Sequence, residues 1–232
     1  MLSRHCASLV RPASLLRPAL VARARQATPA RTFCAVAKLR TELAGELQHE
    51  QGGYEQPDAI KKFMSSPDWK FEEKPNNVNM TLKRETGNFI VSVDFQLVSP
   101  VSDMPEEEGG EEDDYPPETT DFSITVENKT QGGGLILYCS TTPPTGEDGA
   151  EPHRFVIGNM RTFSSPEEKE DPAAYNGPEF EDLDEKLQET LDEWLSSLGV
   201  DPSLIDFIDA MAVDKEQREY ITWLQNLSKL VG

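Results

Sequence analysis

The strongest pattern in the chain is a set of apolar residues at helical spacing in its last quarter. Between Tyr175 and Leu230 these residues recur in steps of three and four, which places them on one face of a helix. The first stripe consists of Phe180, Leu183, Leu187, Leu191, Trp194, Leu195 and Leu198, and the second of Tyr220, Trp223, Leu224, Leu227 and Leu230. Such faces require cover from a sheet, from each other or from a neighbouring subunit.

Turn and capping residues divide this block into three predicted helices. The first stripe predicts a helix over residues 180–198 that covers the sheet and ends at Gly199. Asp201 precedes a proline and predicts the N-cap of a short second helix. Asp214 and Gln217 resemble a capping box that begins the third helix.

A shorter amphipathic pattern lies near the N-terminus. Leu39, Leu43 and Leu47 are four residues apart with glutamates between them, which predicts a helix over residues 36–51 ended by two glycines. A helix this short is unstable alone, so its leucines need a partner, and the second C-terminal stripe fits that need. Packing within one subunit and packing between subunits both satisfy the pattern.

Strands dominate the middle of the chain. Residues 89–97 alternate between apolar and polar side chains, and this period of two indicates a half-buried antiparallel strand. Shorter runs predict further strands over residues 69–73, 78–82, 122–126, 135–140 and 154–160. One apolar and one polar face indicate an antiparallel sheet of five or six strands, wetted on one side and covered by helices on the other. The predicted fold class is therefore α+β.

Charge divides the chain into two parts. Residues 1–40 hold eight basic and no acidic side chains, whereas the other 192 residues hold 14 basic and 42 acidic ones, a net charge of −28. The acid-free composition of residues 1–33 is typical of an organelle-import presequence, and a disordered basic tail is the alternative. Arg31-Thr32-Phe33 resembles a mitochondrial cleavage pattern, so we expect a single mature domain over residues 34–232 in the mitochondrial matrix. Composition alone leaves a plastid address open.

A long acidic segment over residues 99–120 separates two predicted strands. Its acidic block consists of Glu106, Glu107, Glu108, Glu111, Glu112, Asp113 and Asp114. Loops of this length are usually functional or disordered, so a solvated, mobile loop and a docking surface for basic partners are both open interpretations. Low-affinity binding of divalent cations is a third, although the oxygen positions of an EF-hand loop are absent.

The sequence offers little to an enzyme. His49 and His153 are the histidines of the predicted mature domain, and neither lies beside a cysteine or serine constellation. Asp182 and Asp184 are typical of a solvated helix face, and the glycines of residues 132–134 of a hairpin turn. We therefore predict no catalytic residue, no cofactor and no metal site.

Two kinds of partner are disfavoured by the same composition. Nucleic acids are bound by neutralising phosphates with lysine and arginine, so a domain of charge −28 makes direct nucleic-acid binding unfavourable. The longest apolar run, residues 135–139, is far shorter than the roughly 20 residues of a membrane span. Basic proteins are the partners that this charge attracts.

The C-terminal residues resemble the mitochondrial glycoprotein family, which includes the yeast mitochondrial acidic matrix protein and the human complement component 1 Q subcomponent-binding protein. The residues that carry the likeness are Tyr175, Gly177, Pro178, Phe180, Leu183, Asp184, Leu187, Gln188, Leu191, Leu195, Gly199, Lys215, Glu216, Tyr220, Trp223, Leu224 and Leu227. The resemblance implies one domain with about seven strands in a strongly twisted antiparallel sheet. It also implies that N-terminal and C-terminal helices pack together and build a doughnut-shaped homotrimer.

The resemblance also implies an assembly surface and a function. The residues expected to pack the helices or join subunits are Leu39, Leu43, Leu47, Tyr220, Trp223, Leu224 and Leu227. The implied function is that of a non-enzymatic acidic chaperone or scaffold that supports mitochondrial translation, ribosome biogenesis and oxidative phosphorylation. The alternatives are a divalent-cation buffer and an RNA-associated adaptor that reaches RNA through another protein.

Overall fold

One antiparallel sheet forms the centre of the molecule in this computed structural model, which describes residues 29–98, 119–142 and 154–232, with side chains from residue 34 onward. The strands are β1 (Lys70–Glu73), β2 (Asn79–Thr86), β3 (Phe89–Gln96), β4 (Asp121–Asn128), β5 (Gly134–Thr141) and β6 (Phe155–Phe163). The helices are α1 (Pro29–Gly53), α2 (Asp58–Met64), α3 (Pro166–Glu170), α4 (Glu185–Ser197) and α5 (Pro202–Val231), and a 3-10 turn spans Phe180–Asp182.

The strands follow one another as a meander in the order β1-β2-β3-β4-β5-β6, and every neighbouring pair is antiparallel. The predicted strands are thus confirmed, with six of the about seven expected strands in the described residues. On the outer edge of β6, Asn159 forms an isolated antiparallel β-bridge with Glu179. Gly87, at a φ of 57°, makes the tight turn between β2 and β3.

The predicted division of the sheet into an apolar and a polar face is confirmed. On β3 the side chains of Val91, Val93 and Phe95 are buried, while Asp94 and Gln96 on the opposite face are exposed. The buried set continues across the sheet because residues that face each other across antiparallel strands project to the same side. This inner face is the floor of the core.

The start of α5 is the main cover of the inner face. Phe207 is fully buried, stacks on Phe63 with ring centroids 4.4 Å apart, and meets Phe71 edge-on at 5.5 Å. The prediction that the stretch over residues 180–198 covers the sheet is confirmed in part, because Phe180, Leu195 and Leu198 belong to the core. Leu195 is buried there, whereas Leu187 remains 46% exposed.

The N-terminal boundary of that helix was predicted too early. Phe180 lies in the 3-10 turn, and α4 begins after Asp184, whose side chain accepts a hydrogen bond from Lys186 N at 3.2 Å. Asp184 is therefore the N-cap that the sequence pattern concealed. The predicted stop at Gly199 is confirmed by its φ of 96°, and Asp201 caps α5 through Leu204 N at 3.0 Å.

A single helix replaces the second and third predicted C-terminal helices. The predicted capping box at Asp214 and Gln217 is wrong, because both residues lie inside the 30-residue α5. The sequence after Pro202 contains neither glycine nor proline until Gly232, so nothing in the chain breaks the helix. The capping-box pattern instead supplies side chains that bind neighbouring elements.

Two short helices were missed. The segment after Pro57, for which no helix was predicted, forms α2, which buries Ile60 in the core. Ser165 accepts a hydrogen bond from Glu168 N at 3.3 Å and caps α3. The four residues from Ser165 to Glu168, Ser-Pro-Glu-Glu, match the capping-box pattern and could have been recognised in the sequence.

The N-terminal helix is longer than predicted. α1 runs through residues 29–53 and so includes the predicted residues 36–51. The boundary at residue 33 between presequence and mature domain stays a prediction, since a helix across it does not report processing. The acidic block of residues 106–114 lies outside the described residues.

Replacing Phe207 by alanine should test which helix covers the sheet. We expect Phe207→Ala to lower the free energy of unfolding by about 3–5 kcal/mol, because it removes a buried ring. Leu187→Ala, at a half-exposed position, should cost about 1 kcal/mol or less. Urea unfolding at equal protein concentration measures both. Equal losses would restore α4 as the principal cover.

Candidate functional site and interaction surfaces

α1 and the second half of α5 form an antiparallel pair. Arg40 donates to the carbonyl oxygens of Val231 at 2.6 Å and Gly232 at 2.5 Å, so it binds the end of α5. Ten residues further along α1, Glu50 accepts from Gln217 at 2.5 Å. The Arg40 contact satisfies helix-end carbonyls that lack partners within the helix.

The seven residues predicted for helix packing divide into two sets. Leu43 and Leu224 are buried between α1 and α5, and Leu47, Tyr220 and Leu227 are partly buried. Leu39 and Trp223 remain 41% and 55% exposed. The structure therefore places Leu43 and Leu224 in packing within one subunit and leaves an apolar surface on the same helix pair.

The exposed part of this surface is aromatic. The rings of Tyr220 and Trp223 stack with centroids 6.1 Å apart and an interplanar angle of 13°. The Tyr220 hydroxyl also donates to Glu46 on α1 at 3.1 Å, which fixes the ring against the helix pair. Two ordered aromatic rings at a surface are the kind of side chains that anchor protein interfaces.

A charged network surrounds α5 between its core half and its paired half. Lys215 is only 1% exposed and donates to Glu219 at 2.6 Å and to the Lys74 carbonyl at 2.9 Å. Its ammonium also lies 3.1 Å from Glu73 at the end of β1. Oxygen atoms of three residues therefore surround the buried ammonium, as a buried charge requires.

Asp214 and Arg218 form the second half of this network. The Asp214 carboxylate accepts from Arg218 at 2.6 Å and from the Tyr54 hydroxyl at 2.9 Å. Arg218 also donates through both terminal nitrogens to the two oxygens of Glu73 at 3.1 Å. This bidentate pairing fixes orientation as well as distance. The network thus joins β1, α5 and the segment after α1.

The network shifts several pKa values in directions that follow from its contacts. Burial raises the pKa of Glu73, but hydrogen bonds from Arg218 and Lys215 outweigh burial and hold the pKa below its ordinary value. Burial and the hydrogen bond to Asp214 raise the pKa of Tyr54. Glu73 is therefore ionised and Tyr54 is neutral near neutral pH, which suits a structural joint.

A cavity of about 620 Å³ adjoins the network and is lined by Gln51, Tyr54, Glu73, Pro75, Lys215, Arg218, Glu219, Ile221 and Thr222. Its two cations are already engaged by carboxylates of the same network. Because both cations are paired in this way, the cavity offers no positive charge to a ligand. We assign the network to holding α5 in place.

A second charged cluster lies among described residues that flank residues 99–118 and 143–153. Arg154, at the start of the last described range, donates to Asp206 at 2.6 Å and to Asp209 at 3.1 Å, both on α5. It also donates to the Thr142 carbonyl at 3.1 Å. Burial raises the pKa of Asp209, although the Thr141 and Thr120 hydroxyls and Arg154 act to lower it.

The remaining predicted features are placed as follows. The docking residues of the acidic block fall outside the described residues, as does His153, and His49 is exposed on α1. Cys139 is buried, and burial raises the pKa of its thiol. Within the described ranges there is no cluster of three or more metal-ligating side chains, and no helix there is long and apolar enough to cross a membrane.

The network around Lys215 was not predicted from the sequence. A signal was present, because Asp214 with Arg218 and Lys215 with Glu219 are pairs of opposite charge four residues apart on a helix. That spacing contradicted a helix start at Asp214. What the pattern does not contain is Glu73, which the fold brings from 142 residues away in sequence to the same ammonium.

Removing the buried cation should test the network. We expect Lys215→Met, which keeps most of the side-chain volume, to lower the free energy of unfolding by about 2–3 kcal/mol. The reason is that Glu219 and Glu73 lose a partner in a partly buried site. The matched control Lys229→Met, at an exposed position near the end of α5, should change it by about 0.5 kcal/mol or less. Equal stability of the two variants in urea unfolding would contradict the assignment.

Both the sequence and the fold of the chain resemble those of known proteins. A model of the mitochondrial glycoprotein family matches residues 40–231. The chain is similar to an uncharacterized mitochondrial protein of Arabidopsis thaliana, 30% identical over 163 residues, which are 70% of this chain and 62% of that protein. It is also similar to the mitochondrial acidic protein mam33 of Schizosaccharomyces pombe, 26% identical over 212 residues, 83% of this chain and 78% of that protein. The match thus spans less than two thirds of the Arabidopsis protein.

Two solved structures have the same fold. The p22 protein of Trypanosoma brucei superimposes with a TM-score of 0.64 at 22% identity, over 86% of this chain and all of that one. A Leishmania major protein described as a homologue of human p32 superimposes with a TM-score of 0.63 at 19% identity, over 85% of this chain and 99% of that one. At these identities the structures support the fold alone. Because the family model covers most of the sequence, the chain belongs to the mitochondrial glycoprotein family.

Proposed function

We propose that the protein is a non-enzymatic acidic chaperone or scaffold of the mitochondrial matrix that binds basic proteins. The observation that carries this proposal is the charge of −28 over residues 41–232. A field of this sign attracts cationic partners and speeds their association. It repels the phosphates of nucleic acids, so RNA would reach the protein through a bound partner.

The matrix address rests on two observations. Residues 1–33 are basic and free of acids, as in import presequences. The named relatives in Arabidopsis and Schizosaccharomyces pombe are both described as mitochondrial. Basic proteins abound in ribosomes, so the partners we propose are ribosomal proteins or assembly factors. Through them the protein would support mitochondrial translation, ribosome biogenesis and oxidative phosphorylation.

We further propose that three copies assemble into a ring through the helix pair. The exposed Leu39 and Trp223, together with the partly buried Tyr220 and Leu227, provide an apolar surface for a second copy. Three copies would carry three times the charge of one, −84, on a single particle. Such concentration of charge strengthens the attraction of cationic partners and explains why assembly would serve docking.

The acidic block of residues 106–114 is the proposed principal docking segment. It contributes seven carboxylates with no basic residue among them. On the C-terminal side of this segment Thr120 hydrogen-bonds Asp209, which also pairs with Arg154, so the described chain there is anchored to α5.

Replacing Trp223 and Leu227 by alanine together should weaken assembly more than folding. Light scattering on the purified original chain should give the mass of a trimer, and the double variant should shift toward monomer on dilution. Circular dichroism should retain the helix content and strands. The matched control Val213→Ala, at an exposed α5 position near the core half, should remain a trimer. A monomeric original chain would refute the ring.

Partner binding should depend steeply on salt. We expect basic proteins of a matrix extract to bind the immobilised chain at about 50 mM salt and to elute by about 500 mM, because screening shortens the range of charge attraction. Replacing the seven carboxylates of residues 106–114 by their amides should lower the amount captured at every salt concentration. Acidic partners, or capture unchanged up to molar salt, would rule out electrostatic docking.

A further inference from the structure

The outer face of the sheet carries an ordered array of polar side chains that neither the helix pair nor the ion networks use. One row runs across four strands through Thr81, Asp94, Ser123 and Tyr138, each opposite the next. Beside it, Asn79 faces Gln96, Asp121 faces Ser140, and Ser140 faces Val156. These residues line a groove of about 1120 Å³.

The two carboxylates of the groove are held by hydroxyl groups instead of cations. Thr81 donates to Oδ1 of Asp94 at 2.6 Å, and Ser140 donates to Oδ1 of Asp121 at 2.6 Å. Both aspartates are exposed, and among the described residues neither forms an ion pair. Elsewhere on the outer face Glu72 is paired with two lysines. The groove thus contains oriented negative charge that a cation from outside can neutralise.

The spacing of these carboxylates matches an extended chain. Asp94 is opposite Ser123, and Asp121 precedes Ser123 by two residues on the same strand, so the two aspartates are diagonal neighbours about 7–8 Å apart. Side chains on one face of an extended peptide repeat at roughly 6.6 Å. Basic residues at alternate positions of such a peptide therefore meet Asp94 and Asp121 together.

Aromatic and apolar groups complete the groove at one end. Tyr138 is 40% exposed and stands opposite Ser123, beside the irregularity in the pairing of β5 with β6. A guanidinium group that reaches a neighbouring carboxylate lies within the range of such a ring face. Val156 is half-exposed next to Ser140 and offers contact to an aliphatic side chain.

The two described residues next to the acidic segment lie at the groove. Val98 and Thr119, which flank the acidic segment, both line the groove. The sequence that joins them, residues 99–118, contains nine acidic and no basic residues.

We infer that this groove binds an extended segment of a basic partner protein, with arginine or lysine at alternate positions reaching Asp94 and Asp121 and one of them packing on Tyr138. The inference rests on the proposed docking of basic proteins and assigns it a second surface, distinct from residues 106–114. It adds sequence preference to a function that net charge alone would leave unselective. The bound segment of the partner lies across the outer face of the sheet, supported by the strands beneath it.

Two fluorescent peptides of identical composition test this groove on the full chain. Gly-Thr-Arg-Thr-Arg-Thr-Arg-Thr-Gly has arginines at alternate positions, and Gly-Arg-Thr-Thr-Arg-Thr-Thr-Arg-Gly places successive arginines on opposite faces. By fluorescence anisotropy at about 50 mM salt, the alternating peptide should bind about tenfold more tightly. Asp94→Asn with Asp121→Asn should abolish this preference, and Tyr138→Leu should weaken the alternating peptide about threefold.

Matched variants separate the groove from general charge. Asp68→Asn with Asp182→Asn removes the same two charges at exposed sites away from the groove and should preserve the preference. Ser123→Lys places a cation between the two carboxylates and should block the alternating peptide. If the aspartate variant does not fold, by circular dichroism, the Ser123→Lys and Tyr138→Leu variants decide the question.

A variant with the seven carboxylates of residues 106–114 replaced by amides distinguishes the two proposals. It should bind both peptides more weakly yet still prefer the alternating one. If this variant loses all binding while the Asp94 and Asp121 variant behaves like its control, the groove is refuted and docking at residues 106–114 stands. If the original chain binds neither peptide at low salt, both proposals fail.

Discussion

The burial of one ammonium group at the middle of α5 is the constraint on which the rest of the molecule depends. Before Lys215 the helix is part of the core, with Phe207 packed among aromatic rings on the sheet. After it the helix leaves the sheet and pairs with α1. The ion contacts at 2.6–3.1 Å fix the direction in which α5 leaves, because a buried cation tolerates no loss of its partners. The proposed assembly surface is therefore positioned by the same helix that closes the core.

The charge of the chain requires such a division of labour. A domain of net charge −28 repels itself, which opposes compaction. The chain offsets this with an apolar layer between sheet and α5, and it pairs the charges nearest that layer, as at Asp214 and Arg218. Asp94 and Asp121, which have no cationic partner among the described residues, lie on the opposite face of the sheet. Stability and the proposed attraction of partners thus occupy different faces of one sheet.

Local patterns in the sequence predicted most of the fold, and the errors have physical causes. Alternation identified the strands because each has one wet face, as β3 shows with Val93 buried and Asp94 exposed. The stripe through Leu187 was predicted to cover the sheet, but Leu187 is half-exposed. Periodicity shows that residues share a face of a helix and does not show that the face is buried. The site depended on contacts such as Glu73 with Lys215, which join residues far apart in sequence. The acidic block was visible at once because charge requires no fold to be recognised.

The two proposed docking elements differ in what they can select. The seven carboxylates of residues 106–114 attract any cationic chain. Attraction between exposed charges depends on their number and distance more than on the order of residues in the partner's sequence. Asp94 and Asp121 are held by the hydroxyls of Thr81 and Ser140 on strands whose register is fixed. Fixed spacing discriminates between sequences because a mismatched chain satisfies only one carboxylate at a time. A scaffold that both gathers basic proteins and distinguishes among them needs both elements, one for encounter and one for fit.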